Sequence, residues 1–137
     1  MIRRSNSIGM ALLAVLAWLT CVGAPAHADV RPKACTFTAS PLVYIYNDSG
    51  YQLGWLRTFV DGCGSAYTQV YGVTTTIWTA ALATRSNADV GSYTHYGSGA
   101  TMAPVHVGCV DVQGWAVAED DHGNMVGYAN TNWRNAC

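Results

Sequence analysis

The stretch Leu42-Val43-Tyr44-Ile45-Tyr46-Asn47-Asp48-Ser49-Gly50 decides the fold. Leu42, Tyr44 and Tyr46 alternate with Val43 and Ile45, so a two-residue period sets one group of side chains on each face of a strand. β-branched and aromatic residues favour that geometry. Four short or polar residues ending in glycine follow, which is the chemistry of a tight turn. Gln52 to Val60 then reads as the returning strand of an antiparallel hairpin.

Working outward, the same vocabulary continues. Tyr67 to Trp78 is long and threonine-rich, and it reads as one bent strand or two, with Gly72 at a bulge. Thr79 to Arg85 is compatible with a strand or a single helical turn, because Ala-Ala-Leu-Ala favours helix while its neighbours favour strand. Ser86 to Ala103 is rich in Gly, Ser, Asn and Thr and reads as a long exposed loop around a short Tyr93 to Tyr96 segment. Val105 to Val107, Val110 to Glu119 and Met125 to Tyr128 complete the strands, the last two joined by the polar turn Asp120 to Asn124. The fold class expected is all-β: a small disulfide-stapled antiparallel β-barrel or sandwich built from hairpins.

The beginning of the chain has a different character. Arg3 and Arg4, the apolar run from Ile8 to Val22 and the small-residue site Ala26-His27-Ala28 form the pattern of a signal peptide. Residues 1–28 are expected to be removed, leaving a single secreted, extracellular β domain over 29–137 with no membrane association. That segment holds five basic and eight acidic residues, a net charge of −3 without any basic cluster. Such a balance is poorly suited to gripping phosphate backbones or anionic lipid, so nucleic acid is excluded as a partner.

Four cysteines remain in it: Cys35, Cys63, Cys109 and Cys137. An exported domain can oxidise them. The midpoint of Cys35 and Cys63 falls in the Asn47 to Gly50 turn, and that of Cys109 and Cys137 in the Asp120 to Asn124 turn. Residues equidistant from a hairpin turn face each other across the ladder. The pairs expected are therefore Cys35 with Cys63 and Cys109 with Cys137.

His95, His106 and His122, with Asp111, Glu119, Asp120 and Asp121, are the raw material for a hydrolase. They show neither a nucleophile elbow nor a metallopeptidase spacing, so no catalytic residue is assigned. The acidic run Glu119 to Asn124 lacks the alternating oxygens of a calcium loop and reads as a hairpin tip. No metal ligand set and no cofactor is expected.

Rings are the most pointed feature. Trp55, Trp78, Trp115 and Trp133 and all eight tyrosines lie beyond the leader, against two phenylalanines. Rings with an apolar face and a polar edge serve cores and exposed binding surfaces alike. Trp55, Trp115, Tyr128, Tyr93 and Tyr96 are the candidate ligand-binding residues, and Tyr51, Tyr93 and Tyr96 should be the most exposed.

Two resemblances accompany this reading. Tyr44 to Gly50, Gly54, Leu56-Arg57 and Cys63-Gly64-Ser65-Ala66-Tyr67 resemble a family of small exported bacterial proteins of uncharacterised function, with Tyr67 standing where that family has tryptophan. The resemblance implies export and disulfides and no mechanism. Leu82, Arg85-Ser86, Gly114-Trp115, Gly123, Gly127-Tyr128 and Trp133 are similar to bacterial SH3-like domains, small barrels of cell-wall hydrolases and envelope proteins. Asn87-Ala88 stands where those domains carry Gly-Pro. The expected function is a non-catalytic binding module for a cell-envelope glycan or peptide. The alternatives are an inhibitor or effector of another secreted protein, presenting the Ser86 to Ala103 loop, and a small hydrolase.

Overall fold

The structure, a computed structural model, describes residues 34–137. Residues Cys35–Cys137 form one compact unit, which carries every element below. The expected leader, residues 1–28, lies outside the described residues. The strands are β1 (Thr38–Ala39), β2 (Val43–Tyr46), β3 (Gln52–Val60), β4 (Ser65–Thr84), β5 (Asn87–Thr101), β6 (Val105–His106), β7 (Asp111–Glu119), β8 (Met125–Asn130) and β9 (Arg134–Asn135). All their pairings are antiparallel.

β4 organises the sheet. Along one edge it carries β5 for almost its whole length. Along the other it carries β3 on its first half and β7 on its second. The single sheet therefore curls into an antiparallel half-barrel, and the inner faces of its two halves meet.

Trp78 is the clearest sign of that closure. It is fully buried, and its ring lies against the glycine pair Gly54 and Gly72, which face each other between β3 and β4. A methyl group at Gly72 would stand 2.5 Å from the indole Nε1, and one at Gly54 would stand 2.1 Å from the Tyr71 carbonyl oxygen. Two adjacent side chains are missing so that one large ring can enter. Ile45, Leu56, Val70 and Ala116 complete the cluster around it.

Most expectations along the chain hold. The first hairpin turns where expected, and Tyr44 and Tyr46 are exposed while Ile45 is buried. The expected break near Gly72 is present, since the β4–β5 register shifts between Tyr71 and Thr76. Gly72 itself stays in register with Gly54, so the extra residues lie just after it. Thr79 to Thr84 resolves as strand, because β5 and β7 supply partners on both edges and override the helical propensity of its alanines.

The segment Ser86 to Ala103 requires a correction. It is not a loop: Asn87–Thr101 forms β5, which pairs with β4 from Gln69 to Thr84. Its glycine-rich composition is that of an edge strand with little side-chain volume to bury, a pattern that hides strand periodicity.

Both expected disulfides are present, with Cα separations of 5.6 Å for Cys35–Cys63 and 4.9 Å for Cys109–Cys137. Each continues a short terminal ladder. Cys35 and Cys63 lie three residues beyond the Thr38–Val60 pair on their two arms. Cys109 and Cys137 lie two residues beyond Asp111–Asn135. Each hairpin contains a bulge, between Ile45 and Tyr46 and between Ala118 and Glu119. In the first hairpin a further irregularity between β1 and β2 cancels the shift. In the second, another extra residue between β8 and β9 makes the shift two, which restores the facing side.

One turn design recurs three times. Asn47, Asp61 and Asp120 each use a side-chain oxygen to accept the backbone N–H groups two and four residues on, at 2.7–3.0 Å. The third residue on is glycine in each case, with φ of 81°, 96° and 78°. Asx side chains that mimic a backbone acceptor, followed by a left-handed glycine, fix the chain reversal locally.

Candidate functional site

Strand alternation along β7 sends Val112, Gly114, Ala116 and Ala118 inward and Gln113, Trp115 and Val117 outward. Tyr128 pairs with Val117 and Asn130 with Trp115, so Tyr128 stands on the same outer face as Trp115. The β4–β5 turn and the chain after β8 bring Arg85 and Trp133 alongside. Together with Thr84, Asn87 and Gln113, these residues line an open groove of about 520 Å³.

The groove is built from oriented rings. The Trp115 indole N–H donates to the Ala88 carbonyl at 3.2 Å, which fixes the ring across the entrance of β5. The Arg85 guanidinium lies 4.5 Å from the centre of the Trp133 ring, a cation–π contact. Arg85 Nε also donates to Asp111 Oδ2 at 3.0 Å, and Asn135 Nδ2 donates to the other carboxylate oxygen at 3.3 Å. Those two hydrogen bonds, Arg85's first, hold the Asp111 carboxyl below the ordinary carboxylate range. Both members of the pair are solvent-exposed, so its effect is to orient the guanidinium more than to stabilise the fold. Asn130 Nδ2 donates to the Tyr128 hydroxyl at 3.3 Å.

The five candidate binding residues do not converge on one place. Trp115 and Tyr128 share the groove, Trp115 half-buried and Tyr128 exposed. Trp55, also half-buried, stacks on Tyr71 across the β3–β4 ladder with ring centres 5.8 Å apart. Tyr93 belongs with Tyr71 and His95 to a second depression, of about 440 Å³, and stacks on His95 at 6.0 Å. Tyr96 stands on the outer face of β5 at 63% exposure, two strands away from Trp115. Tyr51 at 73% and Tyr93 at 47% are exposed as expected.

Arg85 and Trp133 were absent from the candidate set. Trp133 closes a Gly-Tyr-x-x-x-x-Trp spacing, and Arg85 opens the turn before β5. Their meeting depends on β7 lying between them in space, which no local pattern reveals.

The histidines sit on separate elements: His95 on β5, His106 on β6 and His122 in the β7–β8 turn, all exposed. The Ser65 hydroxyl lies 3.3 Å from His106 Nδ1. The Asp61 carboxylate meets this pair through the serine's backbone N–H, which donates to Asp61 Oδ1 at 2.9 Å, and not through the histidine. A hydrolytic triad needs the carboxylate on the far nitrogen of the histidine, where it would orient the base. The acidic tip at Asp120 is a turn, its carboxylate taken by His122 N–H and by the backbone and side chain of Asn124. Among the described residues no group of three or more His, Cys, Asp or Glu is placed to hold a metal ion.

Compared with known proteins, the chain matches no family model, no curated protein and no solved structure.

Proposed function

We propose that this protein is a secreted binding module for a cell-envelope glycan, and that the groove between Arg85, Trp115, Tyr128 and Trp133 receives the sugar. The observation that carries the reading is the convergence of three amphipathic rings in one open groove with polar side chains between them. Carbohydrate rings offer apolar C–H faces that stack on indole and phenol, and hydroxyl groups that take hydrogen bonds from amide and hydroxyl neighbours such as Gln113, Asn87 and Ser86. Two disulfides in a small domain accord with an oxidising, extracellular setting. The leader-like residues 1–28 and the resemblance of the second half to SH3-like envelope domains support the same reading.

The experiment is co-sedimentation of the oxidised protein with purified peptidoglycan and with other insoluble polysaccharides. Retention on at least one, weakened at least tenfold by Trp115→Ala, is expected. Failure to sediment with any of them overturns the glycan reading and leaves a peptide ligand as the form to test.

A further inference from the structure

We propose that the outer face of the β3–β4 ladder holds a second binding site, in which the Arg57 guanidinium takes the carboxylate of a sugar acid. Strand alternation sends Trp55, Arg57 and Phe59 outward from β3, and Tyr67, Gln69 and Tyr71 outward from β4. The register pairs them as three rungs: Trp55 with Tyr71, Arg57 with Gln69, and Phe59 with Tyr67. Arg57 is thus the middle of a ladder whose other two rungs are rings.

No protein group satisfies this arginine. Its Nε is buried without a hydrogen-bond partner, and among the described residues the one ion pair joins Arg85 to Asp111. Arg134 is held by the Thr38 and Thr58 carbonyls. Gln69, directly opposite Arg57, gives its amide to the Thr101 hydroxyl at 2.9 Å. Buried polar groups normally have a partner, so an unengaged guanidinium is a donor open to a ligand.

The surroundings select that ligand. Ring centres are 5.8 Å apart in the Trp55–Tyr71 rung and 4.6 Å apart in the Phe59–Tyr67 rung, and in both the rings face each other. Their edges are therefore directed along the strands, toward Arg57, whose Cα is about 6.7 Å along β3 from each neighbour. The edge of an aromatic ring is its positive part, so a guanidinium bracketed by ring edges favours an anion. A planar carboxylate matches the guanidinium fork with two parallel hydrogen bonds. One arginine, in a segment (29–137) of net charge −3, suits a single negative charge better than a phosphate or a polyanion.

The sheet beneath the site favours a sugar acid over a peptide carboxylate. β3 lies between β4 and the β1–β2 arm, and β4 lies between β3 and β5, so their backbone groups are engaged in ladders on both edges. A peptide laid here finds no main-chain partner. A sugar acid needs only the fork for its carboxylate, with Gln69 and the exposed Tyr44 and Tyr71 beside it for its hydroxyls.

The test is an NMR titration of the oxidised protein with glucuronate, with glucose as the uncharged ring and N-acetylglycine as a carboxylate on a peptide unit. Glucuronate should give saturable shifts of the Arg57 Nε–H and Trp55 indole N–H signals at millimolar affinity, weakened by added salt, and glucose should give none. Arg57→Gln should abolish the shift at Trp55. Arg57→Lys, which keeps the charge without the fork, should bind about tenfold more weakly. Both variants are first shown to keep the wild-type spectrum of the core. No saturable shift with glucuronate overturns the proposal, as does equal binding by Arg57→Gln or N-acetylglycine binding as tightly as glucuronate. The groove lies on β7 and β8 and is untouched by these variants, so its retention on polysaccharide and the binding of glucuronate at Arg57 succeed or fail separately.

Discussion

Trp78 and Trp115 sit on neighbouring strands of one sheet and have opposite surroundings. Trp78 points inward, fully buried in a slot made by two glycines that face each other. Trp115 points outward, half-buried, its indole N–H tied to a backbone carbonyl and its surface shared with Tyr128 and Trp133 in an open groove. The first ring is held by absent neighbours and the second by a hydrogen bond at its rim. A tryptophan enclosed by the fold contributes to stability, whereas one held only at its edge leaves its face available to a ligand.

Substitutions at the two tryptophans should separate these roles most sharply. Trp78→Ala should cost about 3 to 5 kcal/mol, the range for removing a large buried ring. That is a large part of the roughly 5 to 10 kcal/mol expected for so small a domain. Urea denaturation followed by circular dichroism measures it. Gly72→Ala should also destabilise strongly, because its methyl group would press on the same ring. Trp115→Ala should cost only about 1 kcal/mol, as expected for a half-exposed side chain that loses one hydrogen bond.

Reducing both disulfides should cost more than either tryptophan substitution. In the chain-entropy model each bridge, with a sequence separation of 28, contributes roughly 3.5 kcal/mol. Reducing both should unfold the domain, and thermal melts with and without reductant measure the effect. A native melt in reductant would mean that the Trp78 core holds the two halves together unaided.

A smaller effect distinguishes the three copies of the turn. The Asp61 carboxyl is lowered chiefly by the Ser65 and Cys63 backbone N–H groups, and the Asp120 carboxyl by the backbone and side chain of Asn124. A carboxyl lowered in the folded state stabilises it above its ordinary value of 3.8, and that contribution is lost as pH falls through the lower folded value. Melting temperature should therefore decline below about pH 4, and Asp61→Asn with Asp120→Asn should flatten that decline. The first turn, built on Asn47, carries no such proton and should not respond.

Much of the fold was legible in the chain because its determinants are local. Asn47 to Gly50 and Asp120 to Asn124 announce their turns by composition, and the cysteines sit symmetrically about them. The turn at Asp61 has the same Asx-x-x-Gly spacing as the other two and could have been read the same way. β5 was not legible, since Gly, Ser and Thr give no hydrophobic alternation and the strand exists because β4 offers it an edge. The site was half legible. Trp115 and Tyr128 are near in sequence and adjacent strands unite them, whereas Arg85 reaches Trp133 only through the tertiary fold. Nothing in the local sequence separates Trp55, stacked on Tyr71, from Trp115 in the groove.

The assignment of the available ring to the groove is tested most directly by one co-sedimentation series. Wild type, Trp115→Ala and Trp55→Ala, each first shown to be folded, are compared on the same polysaccharide. The groove account predicts that Trp115→Ala loses retention while Trp55→Ala keeps it. Retention lost by Trp55→Ala and kept by Trp115→Ala would place the ligand on the β3–β4 face and contradict the account.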